Sequence, residues 1–197
     1  MNTRLRIALE LERMRRHNLK KLHPLRQLFW ESTLRCNVSC RHCGSDCRMA
    51  PSHDDMPFND FLRAIDSITP HVDPRRVMII ISGGEPLMRA DLEQNGAELM
   101  RRGFPWGMVT NGLALTPERY ERLLRAGLRS ITVSLDGLED DHNWMRGHKD
   151  SFSRATRAIR MIAATRGLAW DVVTCVNQRN ISTLPALKHY LHDLGVR

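Results

Sequence analysis

The chain has 197 residues, of which 42% are hydrophobic and 26% charged, as in an ordinary globular protein. It contains no run of about 18 or more apolar residues, so we predict no membrane-spanning helix. Its basic first residues also lack the apolar core of a secretory signal. We therefore expect a cytoplasmic, reducing location, where disulfides are rare and clustered cysteines more often bind metal.

The formal net charge is +8. Basic residues are spread along the chain rather than gathered in one block, and aromatic residues make up only 6% of the sequence. Since single-stranded nucleic acid is bound by stacking on aromatic side chains, this pattern favours solvated helix faces over a nucleic-acid surface.

The first segment is predicted to be a basic amphipathic helix. Apolar residues recur at helical spacing between residues 5 and 20, and the pattern ends before His23 and Pro24. We predict that residues 1–26 form this helix and that residues 27–197 form a single core domain.

Five strands, each followed by a helix, are predicted after this segment. The strands are RQLFWEST, RRVMIIIS, PWGMVTNG, SITVSLDG and AWDVVTCVN. The helices lie in FNDFLRAIDSI, residues 91–102, LTPERYERLLRAGL, residues 151–166 and STLPALKHYLHDLG. This alternation predicts an α/β fold with a parallel sheet, without separating an open doubly wound sheet from a barrel.

An unusual motif follows each predicted strand. A cysteine cluster follows the first, SGGEP the second, TNG the third, SLDG the fourth and Asn177 the fifth. In both candidate architectures the functional site lies at the carboxyl ends of the strands. We therefore expect these five loops to meet at one rim of the sheet.

The cysteine cluster admits two metal sites. Cys36, Cys40 and Cys43 form C-x3-C-x2-C, and three thiolates on a four-iron cluster would leave one iron open to a ligand. Adding Cys47 would instead give a four-cysteine zinc site. The paired glycines of SGGEP favour the iron–sulfur cluster, because they allow a ligand to approach the backbone closely and a structural zinc site has no use for that.

Together, C-x3-C-x-His-C after the first strand and GGEP after the second resemble the radical S-adenosylmethionine (SAM) superfamily. The resemblance begins near Gln27 and implies a partial (β/α)6 barrel, truncated here after about five βα units. It implies a [4Fe-4S] cluster held by Cys36, Cys40 and Cys43, with SAM on the fourth iron. It also implies reductive cleavage of SAM to a 5′-deoxyadenosyl radical that takes hydrogen from a substrate.

The same resemblance implies a SAM-binding set. The backbone at Gly83 and Gly84, with Glu85, would bind the SAM amino group, and His42 stands where many members carry an aromatic residue near the adenine. The alternative interpretation is that His42 is a solvated loop histidine without a role in SAM binding.

Residues further along the chain complete this set. By the same resemblance, Ser134 and Asp136 would contact polar groups of SAM, and Arg146 would pair with its carboxylate, as a two-point guanidinium contact allows. Val173 or its neighbours would give the adenine an apolar wall.

The remaining cysteines and histidines are expected to have no cofactor role. Cys47 is interpreted as a spare thiol near the site, with a redox or substrate role as the alternative, and Cys175 as a core residue of the fifth strand. Five histidines are expected to be solvated in loops: His23, His53, His71, His142 and His148.

The motifs further resemble the subgroup with a SPASM or twitch extension, which includes anaerobic sulfatase maturases and peptide-modifying enzymes. This implies a peptide or protein substrate and a flavodoxin- or ferredoxin-like electron donor. The sequence contains no second set of cysteines for auxiliary clusters, and it stops where a sixth strand would begin. We therefore expect a fragment of a longer protein, with the fifth strand as an open edge.

Two alternatives stay open at this stage. One is a zinc-stabilised basic module that binds nucleic acid. The other is a catalytically degenerate radical SAM scaffold that carries a peptide, although the intact cysteine triplet and GGEP speak against it.

Overall fold

The computed structural model describes residues 3–51 and 53–196 and shows an α/β fold with a five-stranded parallel sheet. The strands are β1 (Gln27–Glu31), β2 (Met78–Ser82), β3 (Trp106–Thr110), β4 (Leu128–Ser134) and β5 (Ala169–Val173). They lie side by side in chain order without a reversal, and the sheet is not closed. The predicted parallel α/β fold is confirmed, and the strand order favours an open barrel over a doubly wound sheet.

The helices follow the strands as predicted, with one addition. They are α1 (Thr3–Leu22), α2 (Phe58–Ile68), α3 (Leu92–Arg101), α4 (Pro117–Arg125), α5 (Glu139–Arg146), α6 (Ser151–Ala163) and α7 (Leu184–Asp193). Helix α5, which follows β4, was not predicted from the sequence. Its first turn is acidic and its end is marked by Gly147 in the left-handed conformation, with φ of 64°. Both features are ordinary helix boundary signals.

The core lies between one face of the sheet and the helices that follow the strands. Central strands contribute fully buried side chains, among them Ile79, Ile81 and Trp106. The helices contribute residues such as Leu99 and Ile159 to the same cluster. This packing fixes the strands relative to one another and so holds the loops at their carboxyl ends in place.

Helix α1 differs from the other helices in being exposed along its length. None of its described residues is buried, and Leu5, Leu9 and Leu11 are more than half exposed. The predicted helix is therefore present, and its apolar residues lie outside the core. Within residues 3–51 and 53–196, no helix is long and apolar enough to cross a membrane.

Strand β5 is shorter than predicted and lies at the edge of the sheet next to β4. It ends at Val173, so Cys175 lies in the loop beyond it and is half-buried. The prediction that Cys175 is a core residue of the fifth strand is therefore wrong. The chain leaves the strand early because Thr174 and Cys175 bond to the loop after β4 rather than continuing the ladder.

Candidate functional site

The cysteine loop, residues 36–47, leaves the end of β1 and returns to its own starting point. The Cys36 amide donates to the carbonyl of Arg48 over 2.9 Å, and the Arg48 amide donates to the carbonyl of Leu34 over 3.1 Å. Asp46 adopts a left-handed φ of 47° just before the chain returns. These contacts close the loop at its neck through the backbone alone.

The far side of the cysteine loop rests on the last turn of α5. The amides of Ser39 and Arg41 donate to the carbonyls of Arg146 and Met145 over 3.2 and 2.9 Å. These carbonyls lack partners within the helix, so the loop satisfies groups that a helix end leaves free. The unpredicted helix α5 is thus one of the two supports of the loop.

We predict that Gly147→Ala destabilises the fold and loosens the cysteine loop. A Cβ at Gly147 would stand 2.6 Å from the backbone oxygen of Ser39, at a φ of 64°. We expect a loss of about 2–3 kcal/mol in free energy of unfolding, measured by urea denaturation, together with less iron retained after reconstitution.

Gly167→Ala is the matched control for this prediction. Gly167 has a similar φ of 78°, but nothing lies within 4 Å of its Cβ position. Because only backbone strain is added, the free energy of unfolding of Gly167→Ala should fall by about 1 kcal/mol, and the variant should keep its iron. Equal losses in the two variants would show that the contact with Ser39 is unimportant.

The glycine pair after β2 forms the second support. The Gly84 amide donates to the carbonyl of Thr33 over 2.7 Å, and the Glu85 amide donates to the carbonyl of Arg35 over 2.9 Å. A Cβ at Gly83 or Gly84 would stand 2.3 Å from the carbonyl oxygen of Thr33 or Arg35. Both glycines are therefore needed for the close approach of the two backbones that leads into the cysteine loop.

Glu85 joins the ends of β2 and β3 from below the site. Its side chain is fully buried, and one oxygen accepts from the Leu87 amide and the Thr110 hydroxyl over 3.1 and 2.8 Å. The other accepts from the Asn111 amide over 2.7 Å. Burial raises the pKa of the carboxyl group, and these hydrogen bonds oppose the rise. The geometry makes Glu85 a positioning residue for the rim.

Arg146 and Asp136 form a buried ion pair beside the cysteines. The Arg146 Nε donates to Oδ2 of Asp136 over 2.7 Å, and Nη1 lies 3.6 Å from Sγ of Cys40. The other oxygen of Asp136 accepts from the Cys175 amide over 2.9 Å. Asp136 is 1% exposed, so its carboxylate orients the guanidinium rather than facing the opening.

His142 was expected to be solvated, and that prediction is wrong. The imidazole is fully buried on α5, where Nδ1 accepts from the Asp136 amide over 3.0 Å and Nε2 lies 3.0 Å from Oγ of Ser151. Nδ1 therefore carries no proton, and the ring is neutral with its proton on Nε2. Burial, with a contribution from Arg146, lowers the pKa of His142 to about 4.

We predict that this histidine makes the fold weaker in mild acid. In the unfolded chain, His142 takes up a proton as the pH falls below its ordinary pKa of 6.5. In the folded chain, the imidazole stays neutral until the pH reaches about 4. Stability is therefore lost as pH falls from about 6.5 to about 4, by about 3 kcal/mol. Urea denaturation at pH 7 and pH 5 should show the loss, and His142→Gln should reduce it. If the free energy of unfolding of His142→Gln depended on pH as strongly as that of the wild type, His142 would not be the group responsible for the loss.

One cavity of about 260 Å³ lies over the carboxyl ends of the first four strands. It brings together eight of the predicted site residues: Cys36, Cys40, His42, Cys43, Gly83, Gly84, Ser134 and Arg146. Three others do not line it: Glu85 and Asp136 are buried, and Val173 is 47% exposed at the sheet edge. Its lining also includes Asn111 of the predicted TNG loop and two residues that were not predicted, Val38 and Val109, while Asn177 of the fifth loop lies outside.

Burial keeps three thiols of this cavity, those of Cys36, Cys40 and Cys47, in the protonated form. Burial raises the pKa of Cys36 to about 11 and that of Cys47 to about 12, with the neighbouring thiols adding to both shifts. Burial also raises the pKa of Cys40, against the opposing charge of Arg146. Metal binding at these thiols must therefore release protons.

Comparison with known proteins identifies the family. The family model of the radical SAM superfamily matches residues 30–191 of the sequence. The chain belongs to the radical SAM superfamily. Members of this superfamily use a [4Fe-4S] cluster and SAM, so the predicted family, enzyme class and cofactors are confirmed.

Two radical SAM relatives come from Methanosarcina barkeri. An Fe-coproporphyrin III synthase is 29% identical over 164 residues, covering 83% of this chain and 40% of the relative. An AdoMet-dependent heme synthase is 30% identical over 175 residues, covering 86% of this chain and 48% of the relative. The chain thus spans less than half the length of these relatives.

The radical SAM fold is also matched by a solved structure. The crystal structure of Streptococcus suis SuiB bound to S-adenosylmethionine superposes with a TM-score of 0.70 and 16% identity, covering all of this chain and 45% of that one. At this identity the match establishes the fold alone, and it agrees with the open barrel described above.

The residues of the cavity fit the radical SAM cofactors. Its donors are thiols, which are the ligands of iron–sulfur clusters, and the guanidinium of Arg146 offers a charge for a carboxylate. Among residues 3–51 and 53–196, no three His, Cys, Asp or Glu side chains are grouped to hold a single metal ion. The fit to a cluster therefore rests on the donor set and on the shared cavity.

Proposed function

We propose that this chain is the catalytic core of a radical SAM enzyme that cleaves SAM reductively to methionine and a 5′-deoxyadenosyl radical. The main observation in support is that the three thiols of the C-x3-C-x2-C motif line one cavity with the glycine pair and Arg146. The cluster, when held by Cys36, Cys40 and Cys43, would supply the electron for this cleavage.

The chain's own residues would bind and orient SAM. Arg146 would pair with the SAM carboxylate, and Asp136 keeps its guanidinium aimed at the cavity before SAM arrives. The backbone at Gly83 and Gly84 would take the amino group, and Ser134 would take a further polar group.

The adenine would lie against the less polar part of the cavity. His42 stands at its rim, and burial lowers the pKa of this imidazole, which favours a neutral ring for stacking. Val38 and Val109 supply apolar surface, a role that was expected of Val173 or its neighbours.

For the substrate we propose a peptide or protein side chain, as the subgroup resemblance implies. A SuiB structure solved with its precursor peptide SuiA has the same fold, with a TM-score of 0.70 and 17% identity. We also propose a flavodoxin- or ferredoxin-like electron donor and a cytoplasmic location. The two relatives from Methanosarcina barkeri, an Fe-coproporphyrin III synthase and an AdoMet-dependent heme synthase, favour a second candidate substrate, a porphyrin.

We predict that Cys40→Ala abolishes formation of 5′-deoxyadenosine. The protein would be reconstituted anaerobically with iron and sulfide, reduced with dithionite and supplied with SAM, and the product measured by chromatography. Removing one of three cluster ligands should reduce product to background. Cys175→Ser is the matched control, since this thiol does not line the cavity, and it should retain wild-type product.

Two results would contradict the proposal. Equal product from Cys40→Ala and wild type would exclude Cys40 as a required ligand. Bound zinc without labile sulfide in the wild type would support the zinc-stabilised module instead. Iron coproporphyrin III added to the same assay separates the substrates: greater product with a change in porphyrin mass would favour the porphyrin over a peptide.

A further inference from the structure

The cavity contains a fourth thiol that the proposed function does not use. Cys47 lines it together with Cys36, Cys40 and Cys43, and the residue is 8% exposed. It packs in one apolar cluster with Cys36 and Val38, apart from the main core. Cys47 therefore lies in a cluster that includes Cys36 and has Cys40 packed against it, with little of the residue exposed to solvent.

The backbone is built to return Cys47 to this place. The left-handed Asp46 turns the chain immediately before it, and Arg48 immediately after it is paired with Leu34 and Cys36 at the neck of the loop. The Cys47 amide also donates to Sγ of Cys43 over 3.5 Å. A non-glycine residue in the left-handed region is uncommon and carries a cost, which the pairing at the neck offsets.

Three cysteine ligands leave one iron of a four-iron cluster without a protein ligand. Whatever occupies that iron before SAM binds must be water, another small molecule or a side chain within reach. Thiolate is a better ligand for iron in such clusters than any other side chain lining this cavity. Cys47 is the one remaining thiol among the cavity-lining residues that the structure describes.

We propose that Cys47 is a reserve ligand of the fourth iron, bound to it while SAM is absent and displaced when SAM binds. This inference rests on the proposed function. The Cys47 thiol gives its proton to solvent as its sulfur binds iron. SAM then replaces it through its amino and carboxylate groups, and the released thiolate takes a proton back, so that no electron is transferred. The reserve ligand protects the fourth iron and competes with SAM for it.

The test compares the stability of the fourth iron with and without this thiol. Wild type, Cys47→Ser and Cys47→Ala would be reconstituted anaerobically without SAM and treated with a limiting amount of ferricyanide. Loss of one iron converts the cluster to a [3Fe-4S] form, which electron paramagnetic resonance detects. We expect the [3Fe-4S] signal to be several-fold larger in both Cys47 variants. Cys175→Ser, whose thiol lies outside the cavity, should behave as wild type.

A second readout is the affinity for SAM, measured by its effect on the spectrum of the reduced cluster. Since SAM must displace Cys47 in the wild type, both variants should bind SAM about tenfold more tightly, equivalent to about 1.4 kcal/mol.

Equal [3Fe-4S] yields and equal SAM affinities in proteins that all hold four irons would overturn the reserve role. Failure of a Cys47 variant to take up a cluster would overturn it in favour of an obligatory four-thiol site. A wild-type protein without a four-iron cluster would overturn the proposed function as well, and the wild type alone reveals that outcome.

Discussion

Glu85→Ala is expected to lower the free energy of unfolding by about 3–5 kcal/mol, because it removes the acceptor of three buried donors. The Leu87 and Asn111 amides and the Thr110 hydroxyl all donate to this carboxylate. Its removal leaves them without a partner in a place that water does not reach. Urea denaturation at pH 7, with thermal unfolding followed by circular dichroism, measures the loss.

Glu85→Gln is the conservative partner of this variant. The amide keeps the shape and one oxygen acceptor but turns a donor toward a donor, so we expect a loss of about 1–3 kcal/mol. If Glu85 bound the SAM amino group directly, Glu85→Gln would weaken SAM binding out of proportion to its effect on folding. If Glu85 only positions the rim, the Glu85→Gln protein should be fully folded without denaturant and bind SAM with near-normal affinity. An alanine variant as stable as wild type would show that the buried contacts are not formed.

Asp136→Asn is expected to cost about 3–5 kcal/mol in free energy of unfolding, because it leaves the Arg146 guanidinium poorly exposed and without its counter-charge. The pair is short, at 2.7 Å, and the two side chains are 1% and 10% exposed. We also expect weaker SAM binding, since Asp136 orients the guanidinium toward the cavity. Denaturation and the cluster spectrum with added SAM measure the two effects.

The double variant Asp136→Asn/Arg146→Met separates the ion pair from the remaining contacts. Removal of both charges leaves no buried ion alone, so part of the lost stability should return while SAM affinity stays low. If the two single losses add in the double variant, the two side chains are not coupled. That result would contradict the buried pair.

The strands and their motifs could be predicted because buried parallel strands have continuous apolar sequences. MIIIS and the residues around Met108 are such segments, and the loops after them carry the cavity. The strand ends therefore indicated where seven of the eight site residues would meet, and the eighth, Arg146, came from the resemblance to the radical SAM superfamily. The sequence could not show how far each side chain stands from the cavity, since that depends on packing across strands.

The largest omission is α5, and its cause is visible in LEDDHNWMRG. Its eight residues are too few for a clear apolar stripe, and the pattern lacks the usual polar cap, since Leu138 occupies that position. The acidic first turn and the glycine after Arg146 were the available signals. Without the helix, His142 was expected to lie in a solvated loop, although it is buried against Ser151.

The cysteine loop is held by hydrogen bonds between backbone groups. Its neck is closed at Arg48, and its far side is held by the carbonyls of Met145 and Arg146. Ordering a free chain costs about 1–2 kcal/mol per residue, and these backbone contacts offset part of that cost without involving the thiols. The free energy of cluster assembly is therefore available for holding iron rather than for folding the chain. Oxidative loss of the cluster should leave a folded apoprotein that can be refilled, unlike a zinc finger that unfolds when its ion is removed.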